Sequence, residues 1–222
     1  MASLRATLKA LNGEWPGGSP QIIVVDGGST DGTPELARQL GATVITSAPG
    51  RARQMNAGAA IANGSWLYFL HADTLPPSKL PLHLRTAAQK GFPACFSVRF
   101  NRQSESWWLR LFSLLSKFEV DAFRFGDQSL FVQRQQFETV SGYREELLLL
   151  EGHDIVVRLR KLTGNFTLMN QAVTTSSRRY FAYGIVFTQL IFLLIFTCHR
   201  LGIPHATLLS IYRWAFPHQE GT

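Results

Sequence analysis

Four clusters of polar residues in this chain have the types and spacing that ligand binding and catalysis require. The first is Asp26-Gly27-Gly28, which directly follows an apolar, β-branched run. A carboxylate at the end of a strand accepts hydrogen bonds from a base or a ribose hydroxyl, and glycines let a ligand approach the backbone. A tight turn with a helix cap at Thr33 would account for Asp31 well, but it would account for Asp26 less well, because the turn does not need a second carboxylate.

The second cluster opens a predicted helix at residues 51–62, where Arg51 and Arg53 are followed by Gln54 and Asn56. A helix N-terminus attracts anions, and the planar guanidinium group can bind a diphosphate with two hydrogen bonds. The spacing therefore indicates a diphosphate site. A solvated basic helix start would explain the two arginines as well.

The third cluster is His71-Ala72-Asp73, which follows a predicted strand at residues 66–70. Alternation along a strand would place His71 and Asp73 on the same side. A carboxylate, diphosphate oxygens and water together suit Mg²⁺ or Mn²⁺, which would act as a Lewis acid on a leaving diphosphate. We therefore expect Asp73 to bind a divalent metal.

The fourth cluster, Glu151-Gly152-His153-Asp154, begins a predicted helix at residues 151–162. Carboxylates in the first turn are stabilised by the helix dipole, and this alone would explain them. The same place also suits a general base that takes a proton from an acceptor hydroxyl. Glu151 and Asp154 are both candidates for that base.

The elements between these clusters alternate helix and strand over the first 75 residues, which predicts a mostly parallel sheet flanked by helices. Ligands bind at the carboxyl ends of such strands. Asp26 and Asp73 each follow a strand, so we expect a binding site at that edge. Further strands are predicted at residues 95–100, 126–132, 166–169 and 172–175.

The charge is uneven along the chain. The net charge of +7 favours anionic partners, and no Asp or Glu occurs from residue 155 to residue 219. No recognised nucleic-acid motif is present, so we expect no nucleic-acid partner. The chain also lacks a secretory signal pattern, which predicts a cytoplasmic protein.

Residues 180–198 are nearly all apolar and are bounded by basic residues. Their length is borderline for a helix that spans a membrane. Three arrangements stay open: a helix on or re-entering the membrane surface, a buried hairpin, and a span. We expect an α/β domain over residues 1–176 and an apolar, basic helical tail over residues 177–222, with peripheral binding to the inner face of the cell membrane as one arrangement.

Taken in order, the motifs resemble family 2 glycosyltransferases of the GT-A fold, and within them a subgroup of bacterial transferases found beside radical-SAM and selenium-related proteins. The resemblance covers residues 21–214. It rests on Val-Val-Asp-Gly-Gly-Ser-Thr-Asp-Gly-Thr, Gly-Arg-Ala-Arg-Gln-Met-Asn-Ala-Gly-Ala, Phe-Leu-His-Ala-Asp-Thr-Leu-Pro-Pro, Phe-Gly-Asp-Gln-Ser-Leu-Phe-Val and Ser-Gly-Tyr.

This resemblance implies a hexosyl- or related transferase that uses a nucleotide-sugar donor, a divalent metal (Mn²⁺ or Mg²⁺) and a hydroxyl acceptor, lipid-linked or near a membrane, with inversion at the anomeric carbon. On the donor side, the resemblance implies binding of the nucleobase or ribose by Asp26, Gly27 and Gly28, and further donor contacts by Arg51, Arg53, Asn56 and His71. It implies metal binding by Asp73. On the acceptor side it implies Gln128, the catalytic carboxylate Asp127, and a general base at Glu151 or Asp154.

Three departures from the family pattern qualify these implications. The family opens with a strand that ends in Pro-x-x-Asn-Glu, whereas this chain begins at the following helix, so we expect a start further upstream or a damaged protein. Gly152 replaces the usual Asp, and His71 replaces an Asp in the aspartate-x-aspartate motif, which shifts metal preference towards softer ions or weakens metal affinity. The alternative is therefore a non-catalytic, nucleotide-sugar-binding or membrane-associated scaffold relative.

Overall fold

The computed structural model describes residues 2–13, 15, 18–116 and 129–217. Within them the chain forms a mixed α/β fold, which confirms the predicted fold class. The predicted site residues Asp127 and Gln128 lie outside the described residues. The strands are β1 (Ile23–Asp26), β2 (Thr43–Thr46), β3 (Trp66–Phe69), β4 (Ala94–Phe100), β5 (Leu130–Gln133) and β6 (Thr167–Thr175).

Ten α-helices accompany these strands in the described residues. They are α1 (Ala2–Leu11), α2 (Thr33–Gln39), α3 (Arg51–Ile61), α4 (Leu80–Lys90), α5 (Trp107–Leu115), α6 (Arg134–Thr139), α7 (Glu151–Thr163), α8 (Arg178–Tyr183), α9 (Ile185–Arg200) and α10 (His205–Ala215).

The described strands form two sheets. β1 and β2 pair in parallel, and the second sheet has the order β3-β5-β4-β6. β4 and β6 are parallel, while β5 runs antiparallel to both of its neighbours. Asp26 and Asp73 therefore follow strands of different sheets, not two strands of one sheet.

β6 is one strand, although its sequence predicts two. Its register with β4 shifts between Phe96 and Ser97, opposite Met169 and Ala172. A bulge of this kind leaves extra residues on one strand without ending the pairing. The polar pair that looks like a break between two apolar runs is therefore the bulge itself.

Side-chain alternation divides the second sheet between two hydrophobic clusters. In β4, Phe96 and Val98 enter one cluster, whereas Cys95 enters the other. In β5, Phe131 and Val132 are divided in the same way. Both faces of this sheet are thus covered, which is the expected burial for central strands that carry helices on each side.

The last three helices follow the main sheet. The sequence predicts one element over residues 180–198, but Gly184, with φ +90°, separates α8 from α9. α9 and α10 pack together around Ile191, Ile195 and Leu208. In the described part of the chain, no helix is long and apolar enough to cross a membrane.

The boundary at residue 177 stays a prediction. Tyr180 of α8 belongs to the same hydrophobic cluster as Phe96 and Val98 of β4. The Ser177 hydroxyl donates a hydrogen bond to Asn101 Oδ1 at 2.7 Å. α8 is therefore attached to the sheet that precedes it.

Candidate functional site

Asp26 is the last residue of β1, and its side chain stabilises the turn that follows. Its Oδ2 accepts backbone N–H groups of Gly28 and Ser29, each at 2.9 Å. Burial on its own would raise the pKa of Asp26, but hydrogen bonds from the Ser29 side chain and from these two N–H groups outweigh it, so the pKa lies below its ordinary value. The expectation that the turn does not need a second carboxylate is wrong, because Asp26 accepts hydrogen bonds from two backbone N–H groups of the turn.

The N-cap of the helix after this turn lies one residue before Thr33, the predicted cap. Gly32 is the N-cap, with φ +78°, and Thr33 is already helical. Asp31 Oδ1 accepts the Thr33 N–H at 3.1 Å. The carboxylate of Asp31 therefore satisfies the helix end, which needs acceptors for its free N–H groups.

α3 packs closely against the end of β1. Gln54 Nε2 donates a hydrogen bond to the Val25 carbonyl at 3.0 Å, and a Cβ on Gly27 would lie 3.0 Å from the same nitrogen. Gly28, with φ +103°, faces open space. The first glycine therefore permits helix packing, and the second leaves the backbone open to a ligand.

The N-termini of α3 and α7 meet at Arg51 and Glu151. Arg51 Nη1 lies 3.9 Å from Glu151 Oε1, and the side chains are 48% and 5% exposed. The Tyr143 hydroxyl is buried nearby, and its pKa is raised by burial and by the Glu151 charge, although Arg158 lowers it. A buried carboxylate thus lies beside a half-exposed guanidinium group.

Arg53 and Asn56 both contact Glu145, which the sequence analysis did not identify as a candidate site residue. Arg53 Nε lies 3.4 Å from Glu145 Oε2, and Asn56 Nδ2 donates to Glu145 Oε1 at 3.0 Å. The hydrogen bond from Asn56 lowers the pKa of Glu145. Desolvation acts in the opposite direction, and the contacts with Arg53 lower the pKa further. The Arg-Glu-Glu sequence around Glu145 is typical of an exposed loop. The partners of Glu145 are distant in the sequence, so no local pattern indicates the contact.

Asn56 also holds the Ser-Gly-Tyr turn. Its Nδ2 donates to the Tyr143 carbonyl at 2.8 Å, and its Oδ1 accepts the Tyr143 N–H at 2.9 Å. A Cβ on Gly142, whose φ is +63°, would lie 2.7 Å from that Oδ1. Both the nitrogen and the oxygen of the Asn56 amide thus have hydrogen-bond partners. The predicted contact between Asn56 and the nucleotide sugar stays a prediction.

Asp154 has guanidinium groups on both of its oxygens. Arg144 Nη1 lies 3.2 Å from Oδ1, while Arg158 donates from Nε to Oδ2 at 2.7 Å. A carboxylate held in this way is poorly placed to accept a proton from a substrate. Of the two candidate bases, Glu151 has the more suitable surroundings.

His71 and Asp73 lie in a turn beyond the end of β3, so the alternation expected along a strand does not apply to them. The Thr74 N–H donates to the His71 carbonyl at 3.0 Å, and Thr74 Oγ1 donates to Asp73 Oδ1 at 3.4 Å. Asp73 is exposed. Among the described residues it makes no hydrogen bond or ion pair with another predicted site residue.

No group of three or more His, Cys, Asp or Glu side chains in the described residues could enclose a metal ion. Mg²⁺ is commonly bound through only one or two carboxylates, with substrate phosphates and water as further ligands. The exposed carboxylate of Asp73, hydrogen-bonded only to its neighbour among described groups, fits this open type of site.

A small pocket of about 50 Å³ adjoins the start of α3. Its lining includes Arg51, Arg53 and Glu145. The side chains of these three charged residues therefore border one depression. Its volume suits a few water molecules and not a whole nucleotide sugar.

The fold matches solved glycosyltransferases. Mannosyltransferase PcManGT from Pyrobaculum calidifontis, in complex with GDP-Man and Mn²⁺, is 16% identical, with 97% of this chain and 68% of that chain covered and a TM-score of 0.63. Glucosyl-3-phosphoglycerate synthase from Mycobacterium tuberculosis, with Mn²⁺, UDP and phosphoglyceric acid, is 16% identical, with coverages of 91% and 75% and a TM-score of 0.60.

S. aureus TarS is 14% identical with a TM-score of 0.61, and the match covers 84% of this chain. The chain spans only 36% of TarS. At these identities the likeness defines the fold, which is that of the GT-A glycosyltransferases.

The sequence gives the narrower assignment. The family model for glycosyl transferase family 2 matches residues 2–147, and the chain belongs to this family. The match ends before Glu151 and Asp154. No curated protein matches the chain.

Proposed function

We propose that this chain is a metal-assisted glycosyltransferase that moves a hexosyl or related sugar from a nucleotide-diphosphate donor to a hydroxyl acceptor. The observation that carries the proposal is the contact between Arg51 and Glu151 at 3.9 Å. It brings a cation suited to a diphosphate beside a buried carboxylate suited to proton transfer.

The donor nucleotide lies at the end of β1 in this proposal. The lowered pKa of Asp26 keeps its carboxylate ionised, so that it can accept a hydrogen bond from a base or a ribose hydroxyl. Gly28 leaves open space beside the turn. Arg51 and Arg53 then lie along the diphosphate, with the N-terminus of α3 adding to the positive potential.

Asp73 would hold the divalent ion in this proposal, and His71 would contact the donor. A bound Mn²⁺ or Mg²⁺ supplies Lewis-acid stabilisation of the departing diphosphate. The support is the exposed carboxylate after β3 and the presence of Mn²⁺ in the named complexes of PcManGT and glucosyl-3-phosphoglycerate synthase.

Glu151 takes the proton from the acceptor hydroxyl, and the hydroxyl oxygen attacks the anomeric carbon from the side opposite the diphosphate. This single displacement inverts the configuration of that carbon. Burial of Glu151 and the occupied oxygens of Asp154 support this choice of base. Asp127 and Gln128 keep their predicted place on the acceptor side.

The acceptor in this proposal is a lipid-linked hydroxyl at the cytoplasmic face of a membrane. Its support is the position of Glu151 directly after the apolar residues 147–150, two of which, Leu149 and Leu150, pack against the α9–α10 cluster. A long apolar acceptor would lie along such a surface.

The test is release of UDP or GDP from a panel of nucleotide sugars in the presence of Mn²⁺. We expect the wild type to release the nucleotide and Glu151→Gln to be about 10²- to 10⁴-fold slower. Glu138→Gln, an exposed carboxylate change on α6, is the matched control and should retain the wild-type rate.

If the wild type binds nucleotide sugars but releases no UDP or GDP from them, the result would instead support the alternative, a non-catalytic nucleotide-sugar-binding relative. The pairing of Arg53 with Glu145 favours that alternative, because it occupies a group that the donor needs. Equal rates for the wild type and Glu151→Gln would remove Glu151 from the base role.

A further inference from the structure

α9 is apolar on two sides, and only one of them is buried in the protein. The buried side carries Ile191 and Ile195, which pack with α10. The other side, here called the outer face of α9, consists of exposed large apolar side chains: Val186, Phe187, Leu190, Leu193 and Leu194.

The outer face is continuous along the helix. Positions 186, 190, 193 and 194 follow the spacing of four, three and one residues that places side chains on one side of an α-helix. Leu190 and Leu193 are 58% and 59% exposed, and Leu201, just past the helix, is 75% exposed. An ordered apolar stripe of this size differs from the scattered exposed leucines of ordinary surfaces.

The formal charges on α8, α9 and α10 themselves have one sign. Arg178, Arg200 and Arg213 are exposed on α8, α9 and α10, and no carboxylate occurs in the sequence between residues 155 and 219. An exposed apolar helix face in a segment that carries arginine and no carboxylate is typical of helices that lie in the interface of an anionic bilayer. Trp214, 73% exposed on α10, is of a residue type enriched at that interface.

We propose that the outer face of α9 binds the surface of an anionic lipid bilayer, with the helix parallel to the membrane plane. The charge decides between this partner and a second copy of the chain. A symmetric dimer through this face would bring like arginine charges together without a carboxylate from this region to neutralise them. Anionic headgroups neutralise them directly.

The membrane-binding helices are connected to the candidate site. The Leu148 N–H donates to His205 Nε2 at 3.0 Å, and His153 of α7 lies edge-on to Phe196 of α9, with ring centroids 5.2 Å apart. Bilayer binding would hold the start of α7 near the membrane. Membrane binding itself does not depend on the proposed transfer reaction, whereas its use for a lipid-linked acceptor rests on that proposed function.

Vesicle flotation of the full chain tests the proposal. We expect the wild type to float with vesicles of equal parts phosphatidylcholine and phosphatidylglycerol, and the double change Leu190→Glu with Leu193→Glu to lower the partition coefficient at least about tenfold. The matched control is Leu82→Glu on α4, because Leu82 is 56% exposed and lies outside the outer face. It should float as the wild type does.

Two further variants separate the contributions. Leu190→Asn with Leu193→Asn adds no negative charge, so its loss of binding would arise from lost apolar contact. Arg200→Gln with Arg213→Gln should weaken binding to the anionic vesicles and reduce its sensitivity to salt. UDP and GDP binding, measured on every variant, should remain at the wild-type level, which separates failure of membrane binding from failure of the donor site.

The proposal is wrong if the wild type does not float with the anionic vesicles, or if Leu190→Asn with Leu193→Asn floats as well as the wild type. Equal loss in Leu82→Glu would also contradict it. A wild-type dimer that Leu190→Glu with Leu193→Glu dissociates, seen by analytical ultracentrifugation, would assign the face to a second copy instead.

Discussion

Arg51 Nη1 lies 3.9 Å from Glu151 Oε1, across the N-termini of two helices that are distant in sequence. The separation is longer than a hydrogen bond, so the two side chains interact through their charges. In the proposed function, this relationship brings the donor diphosphate next to the base.

Asp154 is predicted to stabilise the fold and not to take part in chemistry. Asp154→Asn removes the charged partner of Arg158, whose side chain is only 18% exposed, and we expect the free energy of unfolding to fall by about 1–3 kcal/mol. Chemical denaturation measures this change. Loss of activity with unchanged stability would contradict the prediction and transfer the base role to Asp154.

Glu145 is predicted to compete with the donor for Arg53. Glu145→Gln keeps an oxygen that can accept the Asn56 hydrogen bond, but it removes the negative charge beside Arg53. We expect UDP or GDP to bind about threefold more tightly at low salt, since exposed pairs of this kind are weak and screened. Calorimetry measures the affinity. Glu146→Gln is the control, and equal affinities for Glu145→Gln and the wild type would rule out the competition.

Gly142 is predicted to be required by the contact with Asn56 and not only by its backbone angle. Gly142→Ala places a Cβ 2.7 Å from Asn56 Oδ1, whereas Gly91→Ala has a similar positive φ with nothing within 4 Å. Strain from positive φ costs about 1–3 kcal/mol at either position. Thermal unfolding should show the greater loss in Gly142→Ala. Equal losses would mean that the turn relaxes away from Asn56.

His205 is predicted to make the C-terminal helices sensitive to acid. Burial and the nearby His199 lower the pKa of His205, although Glu151 raises it. The unfolded chain therefore takes up the proton first as pH falls through about 6.5, so stability is present at higher pH and decreases on acidification.

Protonation of His205 also removes the acceptor for the Leu148 N–H. We expect the wild type to lose roughly 0.5–1 kcal/mol of unfolding free energy between about pH 7.5 and about pH 5.5, and His205→Gln to lose less. His83→Gln on α4 is the control. A slope of stability against pH that is the same in His205→Gln and the wild type would refute the assignment.

The sequence predicted those features that depend on neighbouring residues. The cap signal at Thr33 located the start of α2 to within one residue, the start of α3 at Arg51 was predicted correctly, and the β-branched run located β1, because these signals act within a few residues. The direction of β5 and the separation of β1 from β3 depend on pairing between distant segments. Residue periodicity does not contain that information.

The candidate site followed the same division. Arg51 and Glu151 were recognised from local helix-start patterns, yet their contact is a consequence of tertiary packing. The reciprocal bonds between Asn56 and Tyr143 join distant parts of the chain, so neither residue carries a local signal for them. Asp26 was the exception, since its use within its own turn was available from the adjacent Gly28 and Ser29.

The central claim is a metal-dependent nucleotide site formed by Asp26, Arg51 and Asp73. Its most direct test is calorimetric titration of the full chain with UDP and with GDP, each with and without Mn²⁺, repeated with Asp73→Asn. The account predicts that one nucleotide binds, that Mn²⁺ strengthens this binding, and that Asp73→Asn removes the effect of Mn²⁺ while the protein stays folded. Binding of neither nucleotide, or an effect of Mn²⁺ that survives in Asp73→Asn, would contradict it.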